Sequence, residues 1–286
     1  MKYVFIKEQS RCYKTARLLD VLNVSSSGYY DWLKRPESTR SKRNRALLSK
    51  IKVFHGASRK IYGSPRIHKD LLESGERVGV NRVARLMKTH NIKSKLTRRF
   101  VITTDSKNTM SPAPDHLKRN FATDSPNRAW VSDTTFIPTK EGWLYLAVIL
   151  DLYSRAVVGW SMGNKNNAQL VQDALTMAIW RRGVKDSVIV HSDQGCTYAS
   201  GAYQAQLKQH NLICSMSRKG ECLDNAVAES FFGSLKNEWV IDQNYSTRKQ
   251  AKQSLFEYIE IFYNRQRRHS HIGYLSPEEY ERQSAN

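Results

Sequence analysis

After Pro126 the apolar residues change period, and this limits the possible folds more than any other feature of the chain. Val131, Asp133, Thr135 and Ile137 alternate with Trp130, Ser132, Thr134 and Phe136. That is the two-residue period of a strand, with Asp133 on one face. Gly142 marks a hairpin turn, residues 143–150 read as a buried strand, and residues 155–161 (RAVVGWS) read as a third. Short connections make these three an antiparallel meander. A helix follows over 167–181, with Leu170, Ala174, Leu175 and Ala178 on its apolar side. Then come a strand at 188–191, a helix at 202–210 and a strand at 212–215. A Gly-containing loop leads into a helix that carries Glu229.

The order β-β-β-α-β-α-β-α is that of a ribonuclease H-like α/β domain, a mixed five-stranded sheet flanked by helices. In that arrangement the first and fourth strands are neighbours. Three carboxylates from separated segments then meet: Asp133 in WVSDTT, Asp193 in HSDQG and Glu229 in DNAVAESFFGSLKNE, with 35 residues between the last two. Phosphodiester chemistry needs an activated oxygen nucleophile and neutralisation of the charge on phosphorus, and two divalent ions about 3.5–4 Å apart supply both. Magnesium is a hard ion that takes oxygen ligands, so carboxylates are the expected residues. Any one Asp is more readily a turn or cap residue; three in these contexts favour a metal site.

Gly195 is expected to permit a sharp turn and close substrate approach beside Asp193. Glu229, Gly233 and Lys236 fall at i, i+4 and i+7 and share a helix face. Gly233 leaves room there, and Lys236 is placed to meet a phosphate next to the metals. Asp151 at a strand end, Asp224 as a helix cap and Glu238 beyond that face are nearby acids outside the set.

The positive charge lies elsewhere. Residues 1–120 hold 28 Lys and Arg against 9 Asp and Glu, whereas residues 121–286 hold 18 against 17. This lopsidedness points to a polyanion-binding module joined to a near-neutral domain. Residues 1–36 read as a helix-turn-helix-like segment: a helix over 13–22, a short turn, and a second helix that Ser25, Ser26 and Ser27 can cap and Pro36 ends. Residues 44–95 read as a second helical DNA-binding unit. Its helix at 81–90 has Val83, Leu86 and Met87 on one face and Arg82, Arg85 and Lys88 on the other. Alone, that basic face reads as a solvated surface; with its surroundings it reads as a recognition face. Residues 96–124 are a basic linker able to track a DNA backbone. Residues 125–240 are the catalytic core, and 241–286 a helical extension with Ser246 and Ser276 as caps.

The four cysteines show no CxxC pairing and read as reduced thiols, with no structural zinc. The N-terminus has no signal-peptide h-region, and the longest apolar run, residues 143–150, is too short for a membrane span. The expected setting is the cytoplasm, at the nucleoid, with no membrane partner.

With these motifs the chain resembles the DDE transposases of bacterial insertion sequences. More narrowly, it resembles the second-reading-frame product of the group with a retroviral-integrase-like catalytic core. SSSGYYDWLKRP and YGSPRIHKDL resemble that group's N-terminal region. WVSDTT, HSDQG, the 35-residue spacing, ESFFGSLKNE and YNRQRRHSHIGYLSPEEY resemble its core and tail. The resemblance implies that Asp133, Asp193 and Glu229 are catalytic and hold two Mg²⁺ ions, with Mn²⁺ tolerated, and that Lys236 is the family's basic residue on that helix. It implies cleavage of the element's terminal inverted repeats and strand transfer to target DNA by a homo-oligomer. It also implies a possible fused upstream-frame DNA-binding segment; no leucine-zipper heptads occur in this chain. Two other readings stay open: a catalytically silent DNA-binding regulator, and a ribonuclease H-like nuclease without joining activity.

Overall fold

Where the chain is most basic it folds into short helices. The computed structural model describes residues 1–95, 113–184, 186–217 and 225–284. Three helices, not two, occupy the first 36 residues: α1 (Lys2–Gln9), α2 (Thr15–Val21) and α3 (Ser26–Lys34). Of the apolar residues in α1 only Ile6 is buried, so α1 shows no helical stripe in the sequence. Ser25 starts α3, its Oγ accepting the Gly28 N–H at 3.5 Å. Ile6, Leu19 and Tyr29 form this unit's small core, and Tyr3 stacks on Trp32.

The next unit comprises α4 (Thr39–Ala57), α5 (Ser64–Glu73) and α6 (Val80–Thr89). The basic stretch at 38–45 is helical because Ser38 Oγ caps the Ser41 N–H at 3.2 Å. Pro65 sits in the first turn of α5, where its missing N–H costs nothing. Leu47, Ile51, Ile67, Leu71, Val83 and Met87 are buried together.

The sheet comprises β1 (Ala129–Thr139), β2 (Gly142–Asp151), β3 (Val157–Gly163), β4 (Ile189–Ser192) and β5 (Ile213–Met216), in the order β3-β2-β1-β4-β5. β1–β2 and β2–β3 pair antiparallel; β1–β4 and β4–β5 pair parallel. Helices α7 (Ala168–Arg182), α8 (Gly201–Gln209) and α9 (Ala226–Leu235) flank it. This is the ribonuclease H-like architecture. Gly142 turns the hairpin with φ +100°, a left-handed value that favours glycine. Alternation along β1 sends Trp130 into the core shared with α7 and α8, and Val131 and Ile137 into the opposite core, shared with α9.

Gly159 of β3 is where α7 comes closest to the sheet. A Cβ there would lie 2.2 Å from the Ala174 carbonyl oxygen and 2.8 Å from the Ala178 Cβ. Gly159→Ala is therefore expected to destabilise the protein by about 1–3 kcal/mol, because β3 and α7 must move apart. A shift in the urea midpoint at unchanged slope measures this; an unshifted midpoint would contradict it.

After α9 the backbone continues through a π-helical turn, Lys236–Val240. The helix α10 (Arg248–Phe256) likewise continues as a π-helical segment, Glu257–Tyr263. Thr247, not Ser246, caps α10: its Oγ accepts the Gln250 N–H at 3.1 Å. The Ser246 N–H instead donates to Gln250 Oε1 at 2.9 Å. The last helix, α11 (Pro277–Ser284), starts at Ser276, whose Oγ accepts the Glu279 N–H at 3.3 Å.

The unit α4–α6 is docked on this tail. Its apolar core is continuous with the core under α9 and α10. The Tyr62 hydroxyl donates to the Gln266 carbonyl at 2.9 Å and accepts the Arg268 N–H at 2.8 Å. Arg268 Nε donates to Asp70 at 2.6 Å, and the Arg59 guanidinium lies 4.1 Å above the Trp239 ring. Of the expected basic linker, residues 96–112, with Arg98, Arg99 and Lys107, lie outside the described residues. Its remainder is fastened to the core: Leu117 is buried, the His116 N–H donates to Ser215 Oγ at 3.0 Å, and Arg155 Nη2 donates to the Phe121 carbonyl at 3.0 Å. Among the described residues no helix is long and apolar enough to cross a membrane.

Candidate active site

The parallel pairing of β1 with β4 sets Val131 opposite His191. Asp133 and Asp193 follow two residues later on each chain segment, Asp193 just past the end of β4. Both are partly buried. Asp133 Oδ1 accepts the Thr134 N–H at 2.7 Å. Burial pushes the Asp133 carboxyl well above its ordinary value, the charges of Asp193 and Glu229 add to this, and the Thr134 N–H and Lys236 oppose it. Burial likewise raises the carboxyls of Asp193 and Glu229.

Asp193 Oδ1 accepts the Gly195 N–H at 2.9 Å. A Cβ on residue 195 would stand 2.8 Å from that same oxygen. A side chain at residue 195 would therefore push the Asp193 carboxylate aside, although the backbone there is not left-handed. Glu229 lies in the first turn of α9 and is partly buried. Lys236 opens the π-helical turn at the other end of α9, its Nζ 5.1 Å from the centre of the Phe136 ring. Burial lowers the Lys236 ammonium, and the charge of Asp133 raises it. Gly233, between them, faces open space.

The sheet and α9 thus bring Asp133 within the electrostatic reach of Asp193, Glu229 and Lys236. No three His, Cys, Asp or Glu side chains among the described residues converge tightly enough to hold a metal ion. The chemistry of the donor set nevertheless fits one. All three candidate ligands are carboxyl oxygens, and their burial, with the charges of Asp193 and Glu229 acting on Asp133, calls for positive charge that one lysine does not balance.

The other acids are committed elsewhere. Asp151 is fully buried and accepts the N–H groups of Asn127 and Tyr153 at 2.8 and 2.9 Å. Glu238 takes two hydrogen bonds from Arg267, each 2.6 Å. Asp224 and the loop before α9 lie outside the described residues. On α6, Arg85 and Lys88 are exposed, whereas Arg82 is half-buried and gives its Nε and Nη2 to Asn44 Oδ1 at 3.1 and 2.7 Å. Sequence reasoning missed Ser132, Tyr198 and Asn225, three buried polar residues next to the carboxylate segments. The available signal was Ser132, a hydroxyl on the same face of β1 as Trp130 and directly before Asp133.

Known families and proteins match most of the chain. Residues 123–222 and 229–284 match models of the integrase core domain, and residues 42–100 match an HTH-like domain. The chain is 42% identical over 283 residues to the transposase InsF of insertion sequence IS3A from Escherichia coli, covering 98% of both chains. It is 43% identical over 260 residues to a 31 kDa protein of insertion element IS600 from Shigella sonnei, covering 91% of this chain and 96% of that one. Among solved structures, the HTLV-2 integrase catalytic core in complex with magnesium matches with a TM-score of 0.42 and 19% identity, over 55% of this chain and 97% of that one. A core of this topology, preceded by an HTH-like domain and aligned almost end to end with an insertion-sequence transposase, leads to one assignment: the chain belongs to the DDE-type transposases of bacterial insertion sequences.

Proposed function

We propose that Asp133, Asp193 and Glu229 together hold two magnesium ions, and that the chain cuts the terminal inverted repeats of its element and joins them to target DNA. The observation that supports this is the β1–β4 register, which pairs Val131 with His191 two residues before Asp133 and Asp193, while the charges of Asp193, Glu229 and Lys236 act on Asp133. Bound magnesium would activate the attacking oxygen and neutralise charge on the phosphate. Water attacks first and leaves a 3′-hydroxyl on the element end; that hydroxyl then attacks a target phosphodiester. In this reading Lys236, whose charge acts on Asp133, meets a phosphate beside the carboxylates. A homo-oligomer holds the two ends, and a fused upstream-frame segment can add end recognition.

Labelled terminal-repeat DNA incubated with the protein and magnesium tests this. The reading requires joined products; cut products without joining would leave a nuclease, and binding alone a regulator.

The exposed face of α6 supplies phosphate contacts in the same reading. Arg85→Ala and Lys88→Ala are each expected to weaken DNA binding at all sequences and to reduce the salt slope of log K by about 0.9 for each phosphate no longer neutralised. Titrations at several salt concentrations measure this; an unchanged slope would remove α6 from the interface.

A further inference from the structure

We infer that Ser132 is the junction that sets the three carboxylate-bearing segments against one another. Asp133 follows Ser132 in β1. Ser132 is 1% exposed, and its hydroxyl meets the hydroxyl of Tyr198, itself 1% exposed, at 3.1 Å. Tyr198 belongs to the turn after Asp193: its N–H donates to the Gly195 carbonyl at 3.1 Å, and the Gly195 N–H holds Asp193 Oδ1 at 2.9 Å. The backbone carbonyl of Ser132 accepts from Asn225 Nδ2 at 3.4 Å. Asn225 immediately precedes α9 and makes no side-chain cap bond, so its amide ties the Glu229 helix to β1 instead. One residue therefore touches the segments of Asp133, Asp193 and Glu229.

The polarity of the junction follows from counting protons. A serine hydroxyl has one hydrogen, and Ser132 gives it to the Val148 carbonyl at 3.2 Å. Tyr198 must then donate to Ser132 Oγ, which requires a neutral phenol. Burial, then the charges of Asp133 and Asp193, hold that phenol far above its ordinary value. Groups that hold metal ligands in position are known to govern metal affinity without touching the metal.

The inference rests on the reading of Asp133, Asp193 and Glu229 as a metal site, and manganese binding by the full chain without DNA tests the two separately. The loss of the free-Mn²⁺ paramagnetic resonance signal reports binding. Ser132→Ala and Tyr198→Phe are each expected to weaken binding about tenfold. The double variant should bind no more weakly than Ser132→Ala alone, because Ser132→Ala already removes the hydrogen bond that Tyr198→Phe removes. Ser132→Thr, which keeps the hydroxyl, should bind as the wild type does. Tyr198→Phe changes one oxygen only, so it carries the test if Ser132→Ala fails to fold. Wild-type affinity in folded Tyr198→Phe, or losses that add in the double variant, would overturn the junction. A wild type that binds no manganese, or an Asp193→Asn variant that binds it equally well, would overturn the metal reading beneath it.

Discussion

In metal-free buffer the Asp133→Asn protein is expected to resist urea better than the wild type, and with magnesium supplied to cut DNA on the order of 10³-fold more slowly or not at all. Both effects have one cause. Burial, and then the charges of Asp193 and Glu229, raise the Asp133 carboxyl above its ordinary 3.8. The folded protein therefore keeps a proton on Asp133 at pH values where the unfolded chain has lost it. The stability this group contributes is full below the unfolded value and is lost as pH climbs through the raised folded value. Asparagine carries no charge, so the loss disappears, while its amide oxygen can still accept the Thr134 N–H. It is also a poor substitute for an anionic metal ligand. Urea midpoints in a chelator from about pH 4 to about pH 8 check the first half: the wild type should weaken on rising pH more than the variant. A variant of equal or lower midpoint at every pH would mean that Asp133 is not a repelled, buried charge.

Glu238→Ala is expected to cost about 3–5 kcal/mol, because it strands a buried guanidinium. Arg267 is 4% exposed and gives Glu238 two bonds of 2.6 Å and Ser234 Oγ one of 3.0 Å. Arg66 of α5 reaches the same carboxylate at 3.4 Å. Glu238 therefore joins the π-helical turn after α9, the tail and the docked helical unit. Replacing the pair together, Glu238→Leu with Arg267→Met, should recover most of the loss, since no charge is then left buried. The single variant should also slow DNA cleavage, because Lys236 opens the same π-helical turn. A loss below about 1 kcal/mol for Glu238→Ala would place this ion pair with surface pairs of little weight.

The sheet was legible in the sequence because alternation in β1, a continuous apolar run in β2 and the turn at Gly142 are local signals. The nearness of Asp133 to Asp193 follows from the same signals, since Val131 of β1 pairs with His191 of β4 two residues before each. Long-range pairing was not legible. The run at 264–268 (NRQRR) is basic and carries no sign of its partners, yet Arg267 and Arg268 serve Glu238, Asp70 and Glu73 of the same chain. In the N-terminal region Lys50 is engaged with Glu76, Arg66 with Glu238 and Arg82 with Asn44. The sequence charge therefore overstates what is available to DNA; on α6 it is Arg85 and Lys88 that are exposed, and not Arg82. The short α1 and the junction at Ser132 depend on single buried contacts, which leave no periodic trace.

Anomalous scattering from crystals of the protein grown with terminal-repeat DNA and manganese would locate the metal itself. Manganese peaks bounded by the carboxylates of Asp133, Asp193 and Glu229 are expected. Manganese at Asp151 or Glu238, or none at these three residues while the crystals hold cleaved DNA, would contradict the assignment of the triad.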